Sequence, residues 1–175
     1  MCEMTEGRNQ GCDDVAGTKK VHLFSIKDSL GISNYATPPT IVDGEVTAIA
    51  LKPTKLAYTF NVEAETAEGD STSTGEKANS ATAYEHRTVM VLSGNTADDI
   101  AQATKMLKDR VVAIMELQDG TYEIYHYENG AKVQRTRSIG KMLDDLNGST
   151  LTLTSRQKSP EAKISSVLVA ALLAG

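Results

Sequence analysis

Apolar and polar residues alternate with period two over much of this chain. Tyr58, Phe60, Val62 and Ala64 alternate with Thr59, Asn61, Glu63 and Glu65, the pattern of a half-buried strand. Residues 68 to 80 follow, rich in Gly, Ser, Thr and charge and nearly devoid of apolar side chains. The chain returns through Ala81 to the β-rich run Thr88-Val89-Met90-Val91-Leu92. Lys55 to Leu92 is therefore expected to form a long hairpin arm: two stems around a polar tip at 68–80 that is mobile in the free protein and ordered in an assembly.

The same reasoning runs along the rest of the chain. Val21 to Ile26 predicts a short strand, and Glu45 to Leu51 another, entered through the turn pair Asp43-Gly44. Lys27 to Pro39 reads as loop, because Pro38-Pro39 disfavours regular structure. Thr96 with Asp99 approximates a capping box, and Asp98, Asp99, Lys105 and Lys108 suit the helix dipole. Ile100, Ala103, Thr104 and Leu107 form an apolar stripe, so the spacing predicts one helix at about 97–108 lying on a sheet. Arg110 to Leu117, Thr121 to Tyr127 and Ala131 to Ser138, punctuated by Asp119-Gly120 and Asn129-Gly130, predict a three-stranded meander. Asn147-Gly148 then introduces the alternating strand Ser149 to Ser155. The uncharged segment 164–174 fits a last strand or a short helix, with apolar surface that needs cover.

These elements define a mainly β chain: a small antiparallel β-sandwich or barrel with one flanking helix and a long hairpin arm. Residues 1–18 are expected as a flexible N-terminal arm, 19–155 as the β domain, and 156–175 as a C-terminal extension. With 175 residues, two Phe and no Trp, the core must come from aliphatic residues, Met and six Tyr. The net charge of −5 argues against gripping nucleic acid by phosphate neutralisation. The N-terminus shows no basic and apolar signal pattern, and the apolar run Val167 to Ala174 is far short of the roughly 20 residues that span a bilayer.

Candidate chemistry is sparse. Cys2 and Cys12 have no His or second Cys pair beside them, so zinc is not expected, and a disulfide is permitted but not implied. His22, His86 and His126 fall in separate predicted strands without metal-ligand spacing. Nucleophile elbows and Gly-rich phosphate loops are missing. Asp144-Asp145 and Asp13-Asp14 read as solvated turn residues before acid–base pairs. Arg135, Arg137 and Lys141 form a basic cluster that suits either a solvated face or ion pairs across a subunit interface. Glu63, Glu65, Glu68 and Asp70 are its natural partners. No catalytic, cofactor-binding or metal residue is assigned, and an enzyme is not expected.

Three stretches carry a resemblance. Cys12-Asp13-Asp14-Val15-Ala16-Gly17-Thr18-Lys19-Lys20-Val21-His22-Leu23-Phe24 resembles the start of virion structural proteins from phages of Bacteroides, crAss-like phages among them. Tyr84-Glu85-His86-Arg87-Thr88-Val89-Met90-Val91, the helix and Val111-Val112-Ala113-Ile114 resemble their arm return, helix and strand. Asp119 to Tyr125, continuing through Asp145 to Leu153, resembles their C-terminal sheet. Together they cover most of the chain, and its order of elements looks like that of bacteriophage tail tube and neck-ring proteins. The resemblance implies a virion subunit, made in the host cytoplasm, that self-associates into hexameric or dodecameric rings. Its partners would be other tail, neck or portal proteins, with DNA passing as non-specific cargo through an acidic lumen, and no membrane. A head–tail connector, stopper or capsid-decorating protein is the alternative virion role. A β-sandwich binding module is a further reading, with Tyr122, Tyr125 and Tyr127 as the group that would stack on sugars.

Overall fold

A computed structural model describes residues 17–27, 34–63, 65–76, 81–93, 96–139 and 147–174. Most of the expected N-terminal arm (1–16), Cys2, Cys12, Asp13-Asp14, residues 77–80 of the expected polar tip, Lys141 and Asp144-Asp145 lie outside the described residues.

The strands are β1 (Thr18–Lys27), β2 (Tyr35–Val42), β3 (Glu45–Leu51), β4 (Tyr58–Asn61), β5 (Ala67–Glu76), β6 (Ala81–Ser93), β7 (Arg110–Leu117), β8 (Tyr122–Tyr125), β9 (Lys132–Ser138), β10 (Gly148–Gln157) and β11 (Ala162–Ile164). Helix α1 (Ala97–Met106) joins β6 to β7, and α2 (Ser166–Ala174) ends the described chain. The expected mainly β sandwich with a flanking helix is what the chain forms. One sheet runs β2-β3-β11-β8-β7-β1-β4 and the other β5-β6-β10-β9.

The larger sheet coils on itself. Five strand steps separate β2 from β1, which in a flat sheet would place them on the order of 24 Å apart. Yet the Phe24 and Tyr35 ring centroids are 5.9 Å apart, and the Asn34 amide donates to the Ile26 carbonyl at 2.8 Å. The sheet therefore carries a core on each face. Phe24, Val112, Ile114 and Ile124 pack inside the coil with Val46 and Ile49 of β3 and Val169 and Leu172 of α2. Val21, Leu23, Ala113 and Met115 face the smaller sheet and meet Met90, Leu151 and Leu153. This explains why β7 reads as a continuous apolar run: residues 111–116 are all buried.

Several expectations are corrected. The hairpin is not Lys55–Leu92. Its first stem, β4, is an edge strand of the large sheet, whereas the polar stretch expected as a tip is β5, paired with β6 from Ala67↔Met90 to Glu76↔Ala81. An edge strand needs only small side chains on its inner face, and Ala67, Gly69 and Ser71 supply them. The expected loop at 27–39 contains the start of β2, whose Pro38-Pro39 is tolerated because the strand is an edge with broken register. The meander stops after two strands. Beyond β8 the backbone enters the left-handed region at His126 (φ 65°), makes one bridge from Ala131 to Val111, and delivers β9 to the other sheet beside β10. Residues 156–175 are no extension: β11 sits between β3 and β8, and α2 plugs the coil. On α1 only Ala103 of the expected stripe is buried, while Ile100 and Leu107 are 42% and 46% exposed.

Candidate functional site: sheet edges and a buried polar seam

The two sheets leave four strand edges, and they differ in character. In the larger sheet β2 is blunted by its prolines and β4 has only four residues. In the smaller sheet both edges are long and proline-free: β5 has ten residues and β9 seven. Their charges are opposite. Strand β5 contains Glu68, Asp70 and Glu76 and no Lys or Arg, whereas β9 contains Lys132, Arg135 and Arg137 and no Asp or Glu.

The expected pairing of the arm's acids with the basic cluster is out of reach for Glu68 and Asp70, because β5 and β9 lie on opposite edges, whereas Glu63 shares a cavity with Arg135. Glu68 and Asp70 instead accept from Arg87 of β6 at 3.0 and 3.4 Å, all three exposed to solvent. Glu63 accepts from the Ser93 hydroxyl at 3.0 Å. Arg135 and Arg137 do share one face of β9, as the period predicts. Arg135 donates to the Ser149 hydroxyl at 2.8 Å, and Arg137 donates to the Gly148 carbonyl and the Asn147 side-chain oxygen, each at 2.7 Å.

At the far end of the sandwich from α1, beyond Leu153, the space between the sheets is polar. His126, turned inward by its left-handed backbone, puts Nε2 3.1 Å from the Thr88 hydroxyl of β6 and Nδ1 2.7 Å from the Ser155 hydroxyl of β10. The His126 amide donates to His86 Nδ1 at 3.4 Å, and the two rings are 5.8 Å apart in an edge-on arrangement. Gln157 reaches the same place, with Nε2 3.4 Å from His86 Nε2 and donating to the Ser159 carbonyl at 3.0 Å. Both imidazoles are fully buried. Burial lowers the pKa of each, and that of His126 falls to about 3, helped by the neighbouring His86. The distance from His126 to Ser155 suits a base and a nucleophile. Neither residue lines the three cavities described below.

The third histidine sits apart. His22 Nδ1 is 2.9 Å from the Thr59 hydroxyl, and its buried Nε2 has no hydrogen-bond partner among the described residues. The Glu116 carboxylate is 3.9 Å from that nitrogen and also takes Lys19 and Lys20 at 3.2 and 3.8 Å. Burial lowers the His22 pKa and Glu116 opposes the shift. Among the described residues, no three His, Cys, Asp or Glu side chains are placed to hold a metal.

Cavities also open on the surface among the described residues. One of 470 Å³ lies between α1 and β4, lined by Leu23, Tyr58, Phe60, Met106 and Val111. One of 370 Å³ includes Glu63, Arg135 and Ser149, and one of 560 Å³ includes Tyr35, Pro38, Pro39 and Tyr127. Of the expected sugar-stacking group, Tyr122 is partly exposed, whereas Tyr125 and Tyr127 are buried, with Tyr127 at the wall of the 560 Å³ cavity. Among the described residues, no helix is long and apolar enough to cross a membrane. No family model, curated protein or solved structure matches the chain.

Proposed function

We propose that this chain is a virion structural protein, a ring-forming subunit of a phage tail tube or neck through which DNA passes. The observation that carries this reading is the pair of oppositely charged edges on one four-stranded sheet. Successive strands in the order β5-β6-β10-β9 are all antiparallel. A second copy added head to tail therefore sets its β9 antiparallel to the first copy's β5, the same geometry as inside the sheet. Such a junction forms on the order of six backbone hydrogen bonds, each worth roughly 1 kcal/mol net. Single-signed edges repel their own kind, which favours heterologous contact over edge-to-edge dimers, and Lys132, on the same outer face as Glu68 and Asp70, is the cation placed to pair with them across the junction. Heterologous contacts close into rings when the rotation between copies permits. The resemblance to tail tube and neck-ring proteins supplies the biological setting, and the net charge of −5 suits a channel that must not hold DNA.

The test is the mass of the assembly by size exclusion with light scattering, combined with imaging. Wild-type protein should form closed rings. Glu68→Lys with Asp70→Lys should leave folded monomers, and adding Lys132→Glu, Arg135→Glu and Arg137→Glu to the same chain should restore rings. A wild-type protein that stays monomeric at all concentrations and salts, alone and with other virion proteins, overturns the reading. Locating the subunit in an intact particle separates tube or neck from connector, stopper or decorating protein.

A further inference from the structure

We propose that His86 and His126 form an acid-operated latch between the two sheets, closed when both are neutral and open at the His126 end when His86 is protonated. The turn after β8 meets the paired strands β6 and β10 through these side chains, and also through the Glu128 amide, which donates to Gln157 Oε1, and Asn129 Nδ2, which donates to the Arg156 carbonyl. The turn after β8 supplies His126, β6 supplies His86 and Thr88, and β10 supplies Ser155 and, through its side-chain oxygen on the Glu128 amide, Gln157. The aliphatic layer formed by Met90, Leu151 and Leu153 does not extend this far, so little apolar packing backs the contact.

The hydrogen-bond polarity makes the latch sensitive to a single proton. Neutral His86 uses Nδ1 to accept from the His126 amide, which leaves the proton on Nε2, where the Ser159 carbonyl favours it. One nitrogen must accept and the other donate. Protonation places a hydrogen on Nδ1 facing that amide N–H, so the bond is replaced by two opposed donors. The charges around the pair do not remove this effect. Glu128, on the turn carrying His126, and Glu161, before β11, favour a charged His86 but bond no nitrogen of its ring. Glu128 is committed to the Lys158 amide and the Ser159 hydroxyl, at 2.8 and 2.7 Å. Tyr125 lies edge-on to His86 at 5.6 Å, with Glu123 and Asp70 acting on its hydroxyl. Glu85, Arg87 and Arg156 alternate onto the solvated outer face, and Lys158 is exposed. Facing His126 itself is the other imidazole, which repels it once charged.

The experiment follows amide exchange and imidazole signals by NMR on the full chain from pH 7.5 to 4.5, with intrinsic exchange corrected for pH. The expected result is a loss of protection of about tenfold or more at 126–130, in step with titration of His86, while the ladder amides at 84–88 and 155–157 and those at 21–24 and 111–115 stay protected. His86→Gln, which keeps an acceptor for the His126 amide and does not titrate, should abolish the local loss. Loss that is uniform over the chain, or that persists in His86→Gln, overturns the latch. If that variant does not fold, the wild type decides alone: His86 titrating without local loss of protection overturns it equally.

Discussion

Gly69 of β5 lies directly against Met115 of β7: a Cβ on Gly69 would stand 2.5 Å from the Met115 sulfur and 3.1 Å from the Tyr125 ring. This is where the edge strand of the small sheet touches the central strands of the large one. Met115 is 1% exposed, so its side chain has no solvent to swing into. Gly69→Ala gains a little from a stiffer unfolded chain but should lose about 1–2 kcal/mol net through overpacking. Gly69→Val should lose more. Urea melts of both variants check the order, and an unchanged midpoint for Gly69→Val would mean that β5 does not sit on Met115.

Stability should fall as the solution is acidified, in a window set by His126. Its folded pKa, about 3, lies below the ordinary 6.5, so the unfolded chain binds the proton first. The contribution is complete above pH 6.5, declines as pH falls below it, and is exhausted near pH 3. Its full size is a few kcal/mol at about 1.4 kcal/mol per pH unit. Chemical denaturation at steps between pH 7.5 and 4.5 measures it. His126→Asn, which tolerates the left-handed backbone, should be less stable at pH 7.5 and show a shallower decline. Parallel declines in the two proteins would assign the acid sensitivity elsewhere.

Much of the architecture was legible because it rests on local signals. The Asp43-Gly44 turn has both residues at positive φ, and the helix begins and ends within a turn of where its caps place it. Strand β10 alternates buried and exposed through most of its length, as the Thr-Leu-Thr-Leu pattern requires. The misses share a cause: they depend on what lies opposite in space. Polar β5 is a strand because Met115 and Tyr125 fill the room that its own side chains leave. Strand β9 changes sheets because His126 adopts a left-handed backbone, which its residue type does not announce. The His86–His126 contact joins residues 40 apart in sequence, with no spacing motif to betray it. The opposed charges of β5 and β9 were visible as composition, but their placement on opposite edges needed the strand order.

The C-terminal helix should prove essential to the fold. Leu172 is 3% exposed inside the coiled sheet, and its carbonyl accepts from the Ala57 amide at 2.9 Å, tying α2 to the approach to β4. Leu172→Ala should cost about 2–4 kcal/mol, the range for a buried leucine. Val167→Ala, at a position 75% exposed on the same helix, should cost less than about 0.5 kcal/mol. Thermal melts of the two variants give the comparison. Equal effects would mean that α2 is not seated as described.

Arg87 should act in opposite directions on the subunit and on its assembly. It bridges Glu68 and Asp70 on the acidic edge, in pairs half exposed to water. Exposed pairs contribute little, so Arg87→Gln should change subunit stability by less than about 1 kcal/mol, and only downward. The same substitution removes a positive charge from the edge offered to the next copy's Lys132, Arg135 and Arg137. The edge becomes more acidic, and ring formation should tighten several-fold at about 0.05 M salt. Near 0.5 M salt, where screening acts over a few ångströms, the two proteins should assemble alike. Sedimentation at both salts checks this. Weaker assembly of Arg87→Gln at low salt would place Arg87 itself in the contact and count against charge complementarity between the β5 and β9 edges.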